Sequence, residues 1–175
     1  FSNDGGGTAD AASAPITEFV GVLEAGDPEF ERPDGNGTTC TPNSGAENHF
    51  YDTYSFVIDQ ADTYTFSMVP NSGGDFYALL YGGEFDPSNP CTNFLEGDDD
   101  DAGSSDPEIM IELTLVPGDY TLVVTEFSSF SDLADGNYTI NISSANGGNV
   151  LPPGGGGGGI DADGLLIDGG STDAC

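Results

Sequence analysis

The chain has 175 residues, and 31 Asp and Glu against a single Lys or Arg give it a formal net charge of −30. So negative a surface repels nucleic acid and anionic membranes, and neither is an expected partner. The length suffices for one domain with a real core, and 11 Phe and 7 Tyr argue against a disordered polyanion.

No stretch approaches the ~20 apolar residues of a membrane span, so no membrane insertion is expected. Aspartate dominates over glutamate, which suits turns and metal loops better than helices. A high-salt habitat would favour the same acidity. The chain begins at Phe1 and carries no signal peptide. It reads as the mature product of an exported, processed precursor, located outside the cell or on its surface.

Residues 1–15 read as a flexible leader, and residues 16–150 as one domain. Ile16 to Leu23 is a first strand, followed by a long polar loop, Glu24 to Glu47, that holds Arg32 and Cys40. Alternation then becomes clear. Tyr54, Phe56 and Ile58 share one face, and Tyr64, Phe66 and Met68 repeat the pattern after a short turn. Period two marks half-buried strands, and the short connection predicts a hairpin. Phe76 to Tyr81 is uniformly apolar and is expected to be covered on both faces.

Asp75 stands at the head of that strand. The chain then passes a Gly and Pro turn region with Cys91 and ends in four consecutive acids, Asp98, Asp99, Asp100 and Asp101. Adjacent carboxylates repel, and Arg32 is the only cationic side chain that could answer them. A hard divalent cation is the natural counter-charge, because Ca²⁺ takes six to eight oxygens from flexible Asp-rich loops. Asp75 and Asp98 to Asp101 are therefore the expected calcium ligands. A solvated acidic loop is the plain alternative.

Ile109, Ile111, Leu113 and Leu115 alternate with polar residues. Val116-Pro117-Gly118-Asp119 has the pattern of a type II turn, from which Tyr120, Leu122 and Val124 return. Tyr138, Ile140 and Ile142 form a seventh strand. No helical period persists. The pattern predicts an all-β protein, an antiparallel β-sandwich of seven to eight strands of jelly-roll or immunoglobulin-like type.

The tail, residues 151–175, has Pro152-Pro153, six glycines from Gly154 to Gly159, and then the segment Ile160 to Asp168. Six stretched glycines reach about 20 Å. The segment reads as an extra, Gly-linked strand that can be carried onto a neighbouring subunit. Asp161, Asp163 and Asp168 give it a loose calcium-loop look with too few ligands for an EF-hand, and a plain Asp-Gly turn is the favoured explanation of them.

Cys40, Cys91 and Cys175 form no CxxC pair, and His49 is the single histidine, so a zinc site is not expected. An exported protein with three cysteines favours one internal disulfide. Cys40 and Cys91, both in Pro/Gly-rich loops beside predicted strands, are the expected pair. Cys175 either bonds a neighbouring chain or stays exposed. Asn36, Asn137 and Asn141 lie in Asn-x-Ser/Thr sequons.

Several stretches together resemble the bacterial pre-peptidase C-terminal (PPC-like) domain, a secreted β-sandwich. They are Arg32 to Cys40 (RPDGNGTTC), Tyr51 to Phe66, Asp75 to Asn93, Gly97 to Gly103 (GDDDDAG), Leu115 to Ser128 and Asp135 to Ile142. The resemblance spans about residues 16–145. It implies calcium positions at Asp75 and Asp98 to Asp101, and a disulfide between the two loop cysteines.

Three functions follow as expectations. An enzyme is disfavoured: no Ser/His/Asp set is discernible, and acids are so abundant that pairs occur by chance. The favoured reading is a calcium-stabilised structural subunit of an extracellular filament. Its tail, through Leu165, Leu166, Ile167 and Cys175, would donate a strand to a sheet edge of another copy, making a homo-oligomer. The alternative is an accessory module that anchors a secreted protein to a polysaccharide or protein matrix, with Tyr77 and Tyr81 as its first surface candidates.

Overall fold

The computed structural model describes residues 13–42, 48–70, 75–99, 109–127 and 136–154. Among them are twelve strands and no helix: β1 (Glu18–Leu23), β2 (Glu29–Glu31), β3 (Asp34–Asn36), β4 (Thr39–Thr41), β5 (Asn48–Ile58), β6 (Asp62–Pro70), β7 (Phe76–Gly82), β8 (Phe94–Asp98), β9 (Ile109–Leu115), β10 (Gly118–Glu126), β11 (Gly136–Ser144) and β12 (Val150–Leu151). The seven strands expected from alternation are β1, β5, β6, β7, β9, β10 and β11. The other five are two to five residues long, too short for a period to register.

Two antiparallel sheets make a β-sandwich. One runs β1-β11-β6-β9; the other runs β12-β5-β10-β7-β8, with β2 also on β5. The apolar faces read from the sequence meet between them: Phe56, Ile58, Leu122 and Val124 from one sheet, Tyr64, Phe66, Ile111 and Ile140 from the other, are all buried. Burying side chains of this size is the main favourable term in folding.

The expected hairpin of β5 with β6 does not form. The two strands lie in different sheets, and the connection arches from one to the other. Sterics and burial explain it. A hairpin would set Phe56 and Phe66 side by side on one sheet. The arch sets their rings against each other across the core, tilted by 43° with centroids 5.4 Å apart. β9 and β10 likewise belong to different sheets, so the Pro117-Gly118 corner is also a crossover. Gly118 has a φ of 159°, far from the +80° that the third residue of a type II turn adopts.

The two arches are pinned by side chains. Asp62 accepts hydrogen bonds from Thr63 N (2.8 Å), Asn146 N (2.8 Å), Asn146 Nδ2 (2.8 Å) and Gly148 N (3.1 Å). Asp59 accepts two from Asn149, both 2.7 Å. Tyr120 closes the other arch, its hydroxyl donating to Val116 O at 2.9 Å.

β7 is buried on both faces, as its uniformly apolar sequence implies. Phe76, Ala78 and Leu80 face the sandwich core, while Tyr77, Leu79 and Tyr81 face a second, smaller cluster with Phe30 and Val123. The segment expected to be a featureless loop, Glu24 to Glu47, supplies that cover. It contains β2, β3 and β4 and lays Phe30 and Arg32 over the outer face of the six-stranded sheet.

Candidate functional site

Arg32, the one cationic side chain of the chain, is buried in this outer layer. Its guanidinium stacks over the Tyr77 ring, 4.5 Å from the centroid, and lies 5.3 Å from that of Phe127. It also donates to Phe127 O at 3.3 Å. The positive charge thus serves packing against aromatic faces. Beside it the Cys40–Cys91 disulfide joins β4 to the β7–β8 connection, with a Cα–Cα distance of 5.6 Å. The Tyr81 hydroxyl donates to Pro90 O at 2.8 Å and holds the same connection from beneath. Tyr77 and Tyr81 are 3% and 0% exposed. They are core residues, which removes them as an anchoring surface.

His49 is also buried, within β5 and paired with Phe30 of β2.

The acidic stretch is divided by the fold. Asp98 is not a loop residue: it ends β8, pairs with Ala78 of β7, is half-buried, and accepts a 2.7 Å hydrogen bond from Met110 N at the start of β9. Asp99 follows it and is half-buried. Asp75 precedes β7, exposed, and its carbonyl accepts from Phe127 N at 2.9 Å. Asp75 stands three positions before Ala78, about 10 Å along the strand. Asp75, Asp98 and Asp99 thus lie toward the same end of the β7–β8 pair, with Asp75 set apart from the other two. Among the described residues, no group of three or more His, Cys, Asp and Glu side chains is close enough to hold a metal ion. The expected ligands Asp100, Asp101, Asp161, Asp163 and Asp168 lie outside the described residues, as do Leu165, Leu166, Ile167 and Cys175.

The sheet edges differ in how they end. In the six-stranded sheet, the outer side of β5 carries β2 at Asn48–Phe50 and β12 at Val57–Ile58. At the other edge β8 meets the β3–β4 turn, where Gly37 and Gly97 exchange backbone hydrogen bonds of 2.8 and 2.9 Å. In the four-stranded sheet, β9 presents Glu112 outward, and Asp98 takes its Met110 N–H.

β1 ends differently. Ile142 N donates to Thr17 O, so Phe19, Gly21 and Leu23 are the positions bonded to β11, and the backbone groups of Glu18, Val20 and Val22 point away from the sheet. No described strand pairs with that side. Val20 is 63% exposed and Val22 45%. The inner rim of β1 is aromatic, with Phe19 stacked on half-buried Tyr54 at 4.5 Å between centroids. A Cβ at Gly21 would collide with the hydroxyls of Tyr54 and Tyr138, so glycine is required where the rim closes. This edge was not singled out by the sequence. Its signal was Val20 and Val22 alternating with Phe19 and Leu23 in a strand at the start of the domain.

No protein-family model matches the sequence, and no curated protein matches it. Among solved structures, the pre-peptidase C-terminal domain of a collagenase from Bacillus anthracis is similar, at 18% identity over 73% of this chain and 88% of that one, with a TM-score of 0.45. It is the kind of domain that the sequence motifs resemble.

Proposed function

We propose that the chain is a non-enzymatic, calcium-stabilised structural subunit of an extracellular filament or surface polymer, assembled when its C-terminal tail adds as a strand to a neighbouring subunit. The observation that carries the reading is the unequal finish of the two sheets. One carries short pieces of its own chain on both edges, β2 and β12 on the ends of β5 and the β3–β4 turn on β8; the other leaves the outer side of β1 without a paired strand among the described residues. An uncapped apolar edge is a template for pairing that monomeric proteins avoid. The disulfide suits an oxidising, extracellular setting. Calcium is the expected partner of the acidic end at Asp75, Asp98 and Asp99, together with Asp100 and Asp101. With a net charge of −30 per chain, subunits repel unless cations sit between them.

Electron microscopy of the purified protein, with calcium and with EDTA, tests the reading. Filaments are expected in calcium, and deletion of residues 160–175 is expected to leave folded single subunits. Filaments that persist after that deletion would exclude strand donation.

A further inference from the structure

We propose that the socket for the donated strand is the edge of β1 that no described strand covers, read by Val20 and Val22 on its outer side and by Phe19 and Tyr54 on its inner side, and that its occupant is the segment around Leu165–Ile167 of another copy. This rests on the strand-donation reading above and locates its acceptor.

Three observations single out β1. The first is backbone geometry: the N–H and C=O groups of Glu18, Val20 and Val22 face outward, as the Ile142 N–Thr17 O bond requires. The second is the character of the rim. A strand added there meets apolar groups on both faces, Val20 and Val22 outside, Phe19 and Tyr54 inside. An ordinary half-buried strand alternates, whereas Leu165-Leu166-Ile167 is an uninterrupted apolar run. Such a run fits an edge that is apolar on both sides, with Leu165 and Ile167 on one face and Leu166 on the other. The β9 edge would instead set the acids of the tail, Asp161, Asp163 and Asp168, against Glu112 and Asp98.

The third observation is where the tail departs. Val150 O accepts from Ile16 N at 2.7 Å, so β12 ends beside the start of β1. β12 runs antiparallel to β5, and beyond Leu151 the chain passes Pro152 into a turn at Pro153 and Gly154. Six stretched glycines span about 20 Å, the same as the six residues of β1. A tether of that reach is long enough to carry the apolar segment off its own domain and onto the β1 of the next subunit.

The substitution Val20→Pro tests this in the full chain. Its N–H faces away from β11, so proline removes a docking donor and no bond of the β1–β11 ladder. We expect Val20→Pro to melt within a few degrees of wild type and to form no filaments under conditions where wild type does. In a Cys175→Ser background, the pair Val22→Cys and Leu166→Cys should give a ladder of disulfide-linked oligomers that dithiothreitol collapses. Filaments that survive Val20→Pro, but not deletion of 160–175, would place the socket elsewhere and leave strand donation intact. Filaments lost with Val20→Pro but kept after the deletion would mean that β1 pairs with a second β1, which overturns the occupant. Wild type that never assembles overturns both.

Discussion

The Tyr138 hydroxyl on β11 donates to the Asp52 carboxylate on β5, a direct polar link between the two sheets. Tyr54 joins it through a 2.8 Å hydroxyl contact. Burial pushes the Asp52 carboxyl above its ordinary value; the bond from Tyr138 pulls it back, and the negative charges of Asp27 and Glu24 push it up again. An acid whose folded value is raised contributes stability below its unfolded value, near 3.9, and loses it as pH rises through the folded value. Asp52→Asn should therefore gain on wild type as pH is raised from about 4 to 7, measured by urea unfolding at each pH. A gap that is constant with pH, or that runs the other way, would refute the assignment. Tyr138→Phe, which strips the half-buried carboxylate of its donor, should cost about 1–3 kcal/mol.

Asp62 has the opposite sign. Burial works against its charge, but the N–H groups of Gly148, Asn146 and Thr63 outweigh that and hold the carboxyl down at about 2. A depressed acid stabilises the fold above its unfolded value and loses that contribution as pH falls toward the folded one. Wild type should thus lose melting temperature between about pH 4 and pH 2. Asp62→Asn should melt lower than wild type at pH 6, with the gap closing toward pH 2. Asp59, held low by the side chain and backbone of Asn149, should add to the same acid limb.

The outer layer depends on a covalent clip and one cation. The Cys40–Cys91 bridge closes a loop of 51 residues, for which chain entropy alone gives about 4 kcal/mol. Reduction, or paired replacement by serine, should lower the unfolding free energy by up to about that amount. Tyr81 hydroxyl exposure, followed by ultraviolet difference spectroscopy, should rise first if the β2–β4 layer lifts before the sandwich opens. Arg32→Lys keeps the charge and loses the flat stacking surface over Tyr77; a cost of about 1 kcal/mol is expected. Equal stability of Arg32→Lys would mean that charge, not stacking, is what the site uses.

Legibility tracked the length of the pattern. β5, β6, β9 and β11 announce themselves because three or four alternating apolar side chains must all face the same core. Which strands pair does not follow from that period. β5 and β6 were expected to form a hairpin because a short connection says nothing about whether the chain folds back in its own sheet or arches to the other one. The arch is decided by partners far away in sequence, Asn146, Gly148 and Asn149, which receive Asp62 and Asp59. The pairing of Cys40 with Cys91 could be anticipated from where the two cysteines stand; the burial of Arg32 could not, since a lone arginine in a Gly- and Pro-rich segment looks like surface. The acidic run groups Asp98 with its three neighbours, yet the Glu96-Gly97-Asp98 end of β8 is a strand because it pairs with Leu80, Leu79 and Ala78 of β7, contacts without a signal in the acidic run itself.

Calcium can be separated from mere acidity by the ion and by the position. If a site forms at the end of the β7–β8 pair that carries Asp75, Asp98 and Asp99, binding stabilises only the folded chain, by about 2.7 kcal/mol at a hundred times the dissociation constant. Differential scanning calorimetry should then show a higher melting temperature in millimolar calcium than in EDTA. Sodium at equal ionic strength should give much less, because general screening does not discriminate between ions. Asp99→Asn should erase most of that calcium-dependent shift, read as the difference between the variant's own melting temperatures in calcium and in EDTA. Asp98→Asn is the less clean probe, since its carboxylate also receives Met110 N at 2.7 Å and its loss weakens the β8–β9 junction without any metal. A melting temperature that responds identically to calcium and to sodium would assign the acidic end to solvation alone, and the subunit would then have to overcome its own repulsion by salt rather than by a bound ion.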